Sequence, residues 1–234
     1  MWTHLERQMG GFGTRAGAGE TQIEVDRRIL RKRISNLKKK LKSIDSERRV
    51  QSKRRQSFFR TSFVGYTNVG KSSLMKAITK SDVLIKNQLF ATLDTTVRRL
   101  FIGNSNYVLM SDTVGFIRNL PNNLIASFKS TLQEVVDSNL LLIVLDASSK
   151  DLQNEIGTIE SVLKEIGANH IDCQYIFNKV DKVDQDRIAY LKKSFPEAIM
   201  VSATRALQLS NIKDIITESH EEWSTSLKNP LHMQ

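Results

Sequence analysis

The sequence has a single cysteine, Cys173, so an intramolecular disulfide is excluded. It has no cluster of Cys and His at metal-ligating spacing either, which argues against a structural zinc site. Long apolar runs are missing. The longest, LLLIVL from Leu140 to Leu145, falls far short of the roughly 20 residues a membrane-spanning helix needs. The first residues, MWTHLERQ, carry charge and lack the apolar stretch of a secretory leader. These absences predict a soluble protein of a reducing, cytoplasmic compartment, with attachment to a membrane surface as the alternative. Glycine and proline are absent from residues 21–56.

What is present is distributed unevenly. The net charge is +10, yet residues 1–60 carry 17 Lys and Arg against 6 Asp and Glu, while the remainder carries 18 against 19. The chain therefore reads as a neutral domain with a strongly cationic appendage, and such an asymmetry points to a polyanionic partner. Residues 9–19, MGGFGTRAGAG, hold five of the 11 glycines and predict a mobile loop. After it, Ile23, Leu30, Ile34, Leu37, Leu41 and Ile44 follow a seven-residue repeat, one apolar seam on a cationic helix. About 35 helical residues would extend about 50 Å. The seam calls for a cover, either a second copy of the chain or a helix upstream. Fraying of the helix beyond Ser46 is the third reading.

From about Arg60 the texture changes to alternating strands and helices. FFRTSFVGY reads as a strand and KSSLMKAITK as a helix, and RRLFIG and YVLMSD flank the turn signal GNSN. A helix near 122–137, the strand LLLIVLDA, a helix near 151–167 and the strand QYIFN follow. A helix near 184–194, the strand AIMVSA and a last helix near 210–223 complete the pattern. This predicts an α/β fold: a mostly parallel sheet with helices on both faces and one antiparallel edge. The expected division is a basic region over 1–57, the α/β domain over 58–222 and a tail over 223–234. Ligands of such sheets sit at the C-terminal ends of the strands.

The motifs fall at those ends. Gly65-Tyr66-Thr67-Asn68-Val69-Gly70-Lys71-Ser72, continued by Ser73, matches G-x-x-x-x-G-K-[ST] between a predicted strand and helix. Its glycines let backbone N–H groups curl round a β-phosphate at a helix N-terminus. Lys71 can bridge the β- and γ-phosphates, and the Ser72 hydroxyl can ligate Mg²⁺. Asp112-Thr113-Val114-Gly115 follows a strand: Asp112 can hold Mg²⁺ through its water and the Gly115 N–H can touch a γ-phosphate. Between the two motifs, NQLFATLDTTVRR offers Thr92, Thr95 and Thr96 as ligands for Mg²⁺ and γ-phosphate, the logic of a switch loop. Asn178-Lys179-Val180-Asp181 closes the set. A carboxylate at Asp181 can accept from both N1–H and the exocyclic amine of guanine, a donor pair adenine lacks. Ser202-Ala203 can supply a backbone N–H near guanine O6. In this order the four elements imply a site for GTP or GDP.

The segments MWTHLERQ, GGFGTRAGAGETQIEVDRR, FATLDTT and DTVGFIRNLP resemble the HflX family of ribosome-associated GTPases, over nearly all of residues 1–220. The resemblance implies Thr92, in FATL, as the switch ligand ahead of Thr95 and Thr96. It also implies a GTPase that docks on the large ribosomal subunit and its rRNA, splitting or rescuing stalled ribosomes, with the glycine-rich loop and long helices reaching toward the peptidyl-transferase centre. Family members carry a further domain and a helix before MWTHLERQ, and that helix would cover the seam and leave a monomer. Without it, dimerisation through the uncovered seam stays open as the alternative. This chain reads DTT where relatives commonly read DPT, a change that would loosen the switch loop.

Phe116 stands where Ras-like enzymes place a glutamine that orients the attacking water. Its ring can neither donate to nor accept from water. Either a partner completes the site or Phe116 simply packs under the second switch segment, and on both readings turnover alone is expected to be slow. Two other classes compete: an RNA-binding protein with an inactive G domain, and a membrane-surface GTPase that lays the basic helix on anionic lipid. Intact Lys71, Ser72, Thr92, Asp112 and Asp181 argue against the first. The narrow seam without bulky aromatics argues against the second.

Overall fold

The computed structural model describes residues 22–55, 57–79, 96–103, 106–113, 115 and 132–228. The glycine-rich segment 9–19, the turn residues Asn104 and Ser105, and most of the expected helix near 122–137 lie outside the described residues. The chain divides into two compact units, residues 1–47 and residues 48–234. Helix α1 (Gln22–Arg54) forms without an internal Gly or Pro to break it. In the first unit Leu30, Ile34 and Leu37 of its seam are 58%, 52% and 54% exposed, among exposed Arg31, Lys32, Arg33 and Lys38. These three seam residues form an apolar stripe open to solvent, and the cover that the heptad pattern calls for is not supplied at them.

The second unit is built on a six-stranded sheet in the order β2-β3-β1-β4-β5-β6. Its strands are β1 (Arg60–Val64), β2 (Thr96–Gly103), β3 (Asn106–Asp112), β4 (Leu140–Asp146), β5 (Asp172–Asn178) and β6 (Ile199–Met200). Among the described strands only β2 and β3 pair antiparallel; β1 pairs parallel with β3 and β4, β4 with β5, and β5 with β6. The fold is the α/β architecture expected. Strand β4 is buried from Leu140 to Leu145 because a central parallel strand is covered on both faces, which is why it reads as an unbroken apolar run. Phe63, Leu141, Leu142, Ile143, Leu145 and Phe177 are among the largest fully buried side chains, and burial of each contributes about 2 kcal/mol.

The helices are α2 (Lys71–Thr79), α3 (Gln133–Val136), α4 (Leu152–Glu165), α5 (Gln185–Ser194) and α6 (Leu209–Lys228). Asp184 starts α5 by accepting from the Arg187 N–H at 2.8 Å. A buried chain of hydroxyls fastens α3 to the sheet: Ser62 Oγ lies 2.5 Å from Ser111 Oγ and 2.6 Å from Ser138 Oγ, and Ser138 donates to the Glu134 carbonyl at 2.7 Å. Ion pairs Arg55–Glu134 (2.7 Å) and Arg60–Asp137 (3.4 Å) hold the same helix end. No helix among the described residues is long and apolar enough to cross a membrane.

Two boundaries differ from expectation. Strand β6 keeps only two residues of the expected AIMVSA, because Ser202 turns out of the sheet to exchange backbone bonds with Leu207 (3.3 and 3.0 Å). Helix α6 runs past the expected end near 223 to Lys228, with no Gly or Pro to stop it. Its Trp223 packs edge-on against Phe59 (5.7 Å) beside His220 (5.9 Å). The ring is half-buried, so Trp223→Ala should lower stability by about 2 kcal/mol, less than for a fully buried ring. Urea unfolding followed by circular dichroism checks this: the midpoint should fall at constant m-value.

Candidate functional site

The site lies where β1, β3, β4 and β5 end. β1 delivers the chain into the loop 65–70, and α2 begins at Lys71 with Leu74 N–H donating to the Gly70 carbonyl at 2.9 Å. Two glycines are demanded by the geometry. Gly65 (φ +150°) passes so close to the Val144 carbonyl that a Cβ would overlap it, and Gly70 (φ +99°) packs against the Asn178 amide. Opposite the loop, a Cβ at Gly115 would lie 2.8 Å from the Thr67 backbone and 2.9 Å from Lys71 Nζ. These absent Cβ atoms leave a cradle of backbone at a helix N-terminus, the shape that accepts a phosphate.

Lys71 is buried, and its Nζ donates to the carbonyls of Gly65 (3.0 Å) and Tyr66 (2.9 Å), spanning the cradle. Burial pulls its pKa from 10.5 down to about 8, against the opposing pull of the Asp112 carboxylate. Ser72 Oγ donates to Asp112 Oδ2 at 2.5 Å, bringing a hydroxyl and a carboxylate together across α2 and β3. Two hard oxygen donors suit Mg²⁺, which keeps several waters and takes one or two protein ligands. The neighbouring Thr113 hydroxyl is committed elsewhere, donating to the Phe63 carbonyl at 2.7 Å. Ser73 lies half-buried in the first turn of α2. Thr96 opens β2 in register with Asp112. Thr92, Thr95 and Phe116 lie outside the described residues.

The second motif joins the first through its side chains. Asn178 is 2% exposed; its Nδ2 donates to the Val69 carbonyl at 2.8 Å and its Oδ1 accepts from the Ala203 N–H at 3.0 Å. Lys179 adopts a left-handed backbone (φ 65°), and its Nζ donates to the Asn68 carbonyl and to Asp146 Oδ2, both at 2.7 Å. Asp181 Oδ1 accepts from the Ser202 hydroxyl at 2.5 Å, and this bond holds the carboxyl below its ordinary range. The Ala203 amide, expected near a guanine carbonyl, is thus donated to Asn178 here.

Sequence reasoning missed Asp146. Burial alone would raise its carboxyl, but hydrogen bonds from Lys179 and Ser148 outweigh burial and leave it below the ordinary value. The signal available was its place at the end of an apolar strand, in register with Asn178. The segment Ser202–Gln208 also holds strain: Ala206 (φ 52°) and Gln208 (φ 53°) are non-glycine residues in left-handed backbone.

Lys71 generates a pH prediction. With the pKa lowered, the free protein loses the Lys71 proton as pH rises through about 8, whereas phosphate requires the cation. GDP affinity should therefore fall above pH 8, by up to about tenfold per pH unit, with net proton uptake on binding. Lys71→Ala should bind more weakly and without that slope. By the same sign, the unliganded fold gains stability from pH 8 toward 10.5. Calorimetric titration of GDP in two buffers of different ionisation enthalpy checks the proton uptake.

Residues 60–179 match the family model described as "50S ribosome-binding GTPase", and residues 1–55 match "GTP-binding GTPase Middle Region". The chain is 54% identical over 181 residues to the GTPase HflX of Flavobacterium psychrophilum, covering 77% of this chain and 43% of that protein. It is 42% identical over 221 residues to the GTPase HflX of Escherichia coli K12, covering 93% of this chain and 52% of that one. It spans about half the length of the curated relatives it matches. Among solved structures, a GTP-binding protein of Sulfolobus solfataricus in complex with GDP is 26% identical with a TM-score of 0.57, covering 84% of this chain and 60% of its own. Era of Aquifex aeolicus bound to GDP·AlF4⁻ shares the fold at 20% identity, TM-score 0.57, with 69% and 56% covered. The chain belongs to the HflX family of GTPases.

Proposed function

We propose that this protein binds GTP with Mg²⁺ in the cradle, hydrolyses it to GDP and phosphate, and does so while docked on the large ribosomal subunit. The observation that carries the nucleotide reading is the joint between the two motifs: Asn178 fastened to the Val69 carbonyl, with Asp181 aimed by Ser202 at the same end of the sheet. That arrangement suits one ligand with phosphates at one end and a guanine at the other. The loop amides and Lys71 would hold the β- and γ-phosphates, with Lys71 exchanging its two carbonyl partners for phosphate oxygens. Ser72 and Asp112, with Thr92 as a further ligand, would hold Mg²⁺, which when bound offsets the negative charge developing on the phosphates. The Gly115 N–H would face the γ-phosphate.

In the reaction a water oxygen attacks the γ-phosphorus and the bond to the β,γ-bridging oxygen breaks. GDP leaves with that electron pair, and the proton of the water passes to phosphate or solvent. Phe116 supplies no hydrogen bond to the water, so turnover alone should be on the order of 10⁻⁴ to 10⁻² s⁻¹. The subunit would then supply or order what this chain lacks. The exposed cations of α1 suit rRNA phosphates, and the family name of the matched region supports the same partner.

Steady-state GTP hydrolysis with and without purified large subunits tests this. Acceleration by a factor of ten or more, as partner-stimulated GTPases show, is the expected result. GTP bound at an unchanged hydrolysis rate in the presence of large subunits would overturn the ribosomal half of the proposal.

A further inference from the structure

Away from the nucleotide site, a row of aromatic rings runs over the β2–β3 hairpin and the segment before β1. Phe101 and Tyr107 stand opposite one another in register, with ring centroids 6.2 Å apart. Phe58, two residues before β1 begins, stacks on Tyr107 at 5.1 Å and 27°. The Arg99 guanidinium lies over the Tyr107 ring at 4.8 Å. The opposite face of β2 is spent on the core: Leu100 is 3% exposed and Ile102 packs against the core cluster. Residues alternating along β2 therefore divide cleanly, with Arg99 and Phe101 on the outer face.

Cross-strand aromatic pairing accounts for half-buried Tyr107 and Phe58 as sheet stabilisers. It leaves most of the Phe101 ring uncovered, since Phe101 is still 70% exposed beside Tyr107 and gains little from burial. A ring that stays open beside a guanidinium, on a hairpin whose described residues are otherwise neutral or basic outside Asp112, has the composition of a base-stacking platform. A second copy of the chain pairing along the edge of β2 is disfavoured by the register irregularity between Phe101 and Gly103, which interrupts the ladder such a copy would extend.

We infer that the outer face of the β2–β3 hairpin is a contact site for single-stranded RNA, in which an unpaired base stacks on Phe101 and Arg99 reaches the adjoining phosphate. The inference rests on the proposed ribosomal reading only in taking RNA as the polymer. It names a surface made of Phe58, Arg99, Phe101 and Tyr107, apart from the residues assigned to the nucleotide site.

The test uses the full chain loaded with GDP and a short oligoadenylate carrying one 2-aminopurine, titrated by fluorescence at several salt concentrations. The wild-type protein should quench the probe. Phe101→Ala should weaken binding about tenfold at every salt concentration with the salt slope unchanged, because a stacked base is lost and no phosphate contact. Phe101→Trp should restore affinity, and GDP affinity should be the same in all three proteins. A change of less than twofold on Phe101→Ala, or Phe101→Trp binding no better than Phe101→Ala, overturns the inference. So does sedimentation showing that Phe101 drives self-association of the free protein. The two proposals fail separately. If large subunits leave hydrolysis unchanged while oligonucleotide binding still depends on Phe101, the ribosomal reading falls and the platform stands; if subunits accelerate hydrolysis and Phe101→Ala binds the probe like wild type, the platform alone falls.

Discussion

The side-chain amide of Asn178 lies between two loops that come from opposite ends of the sequence and satisfies a backbone group of each. It donates to the carbonyl of Val69 and accepts from the N–H of Ala203, and it is itself almost fully buried. A buried polar group without a partner costs about 1–3 kcal/mol, so removing this side chain would leave two such groups at once. Lys179 repeats the logic one residue on, fastening the Asn68 carbonyl to the Asp146 carboxylate. The loop 65–70 and the loops after β5 and β6 are thereby fastened to one another, although 109 residues separate Val69 from Asn178.

The sheet makes this joint available. β1, β4 and β5 are parallel neighbours, so their C-terminal ends emerge side by side, with Val64 in register with Ile143 and Asp146 with Asn178. Gly65 can turn against the Val144 carbonyl only because it has no side chain. The apolar filling of these strands fixes the ends relative to one another, and the polar groups beyond them take up their positions as a consequence. Desolvation of Lys71 belongs to the same arrangement: the cradle that excludes water also lowers the proton affinity of its cation, which a phosphate would restore.

Most of this was legible in the sequence where a local pattern decides the outcome. LLLIVL announces a strand covered on both faces, G-x-x-x-x-G-K-S between strand and helix announces the cradle, and the absence of Gly and Pro over 21–56 announces α1. What escaped depends on contacts between distant residues. Asp146 looks like an ordinary strand end until Lys179 is placed beside it. The Ala203 amide looks available for a ligand until Asn178 accepts from it. The serines at 62, 111 and 138 look like unrelated polar residues until the register of β1 and β3 brings two of them together and α3 adds the third. Strand β6 was read too long because alternation of apolar residues cannot reveal a backbone bridge between Ser202 and Leu207.

The central claim is that Asn178 makes the two loops one body, and comparing GMP with GDP binding in wild type and Asn178→Ala tests it most directly. GMP and GDP differ by the phosphate that the proposed reading puts in the cradle, so the ratio of their affinities reports on the cradle. If Asn178 sets the cradle through Val69, the affinity gained from the second phosphate should shrink in Asn178→Ala by about tenfold, as expected when contacts in one network are coupled. If both nucleotides weaken by the same factor and the ratio is unchanged, Asn178 serves the base-reading loop only, and the claim of a single body is contradicted.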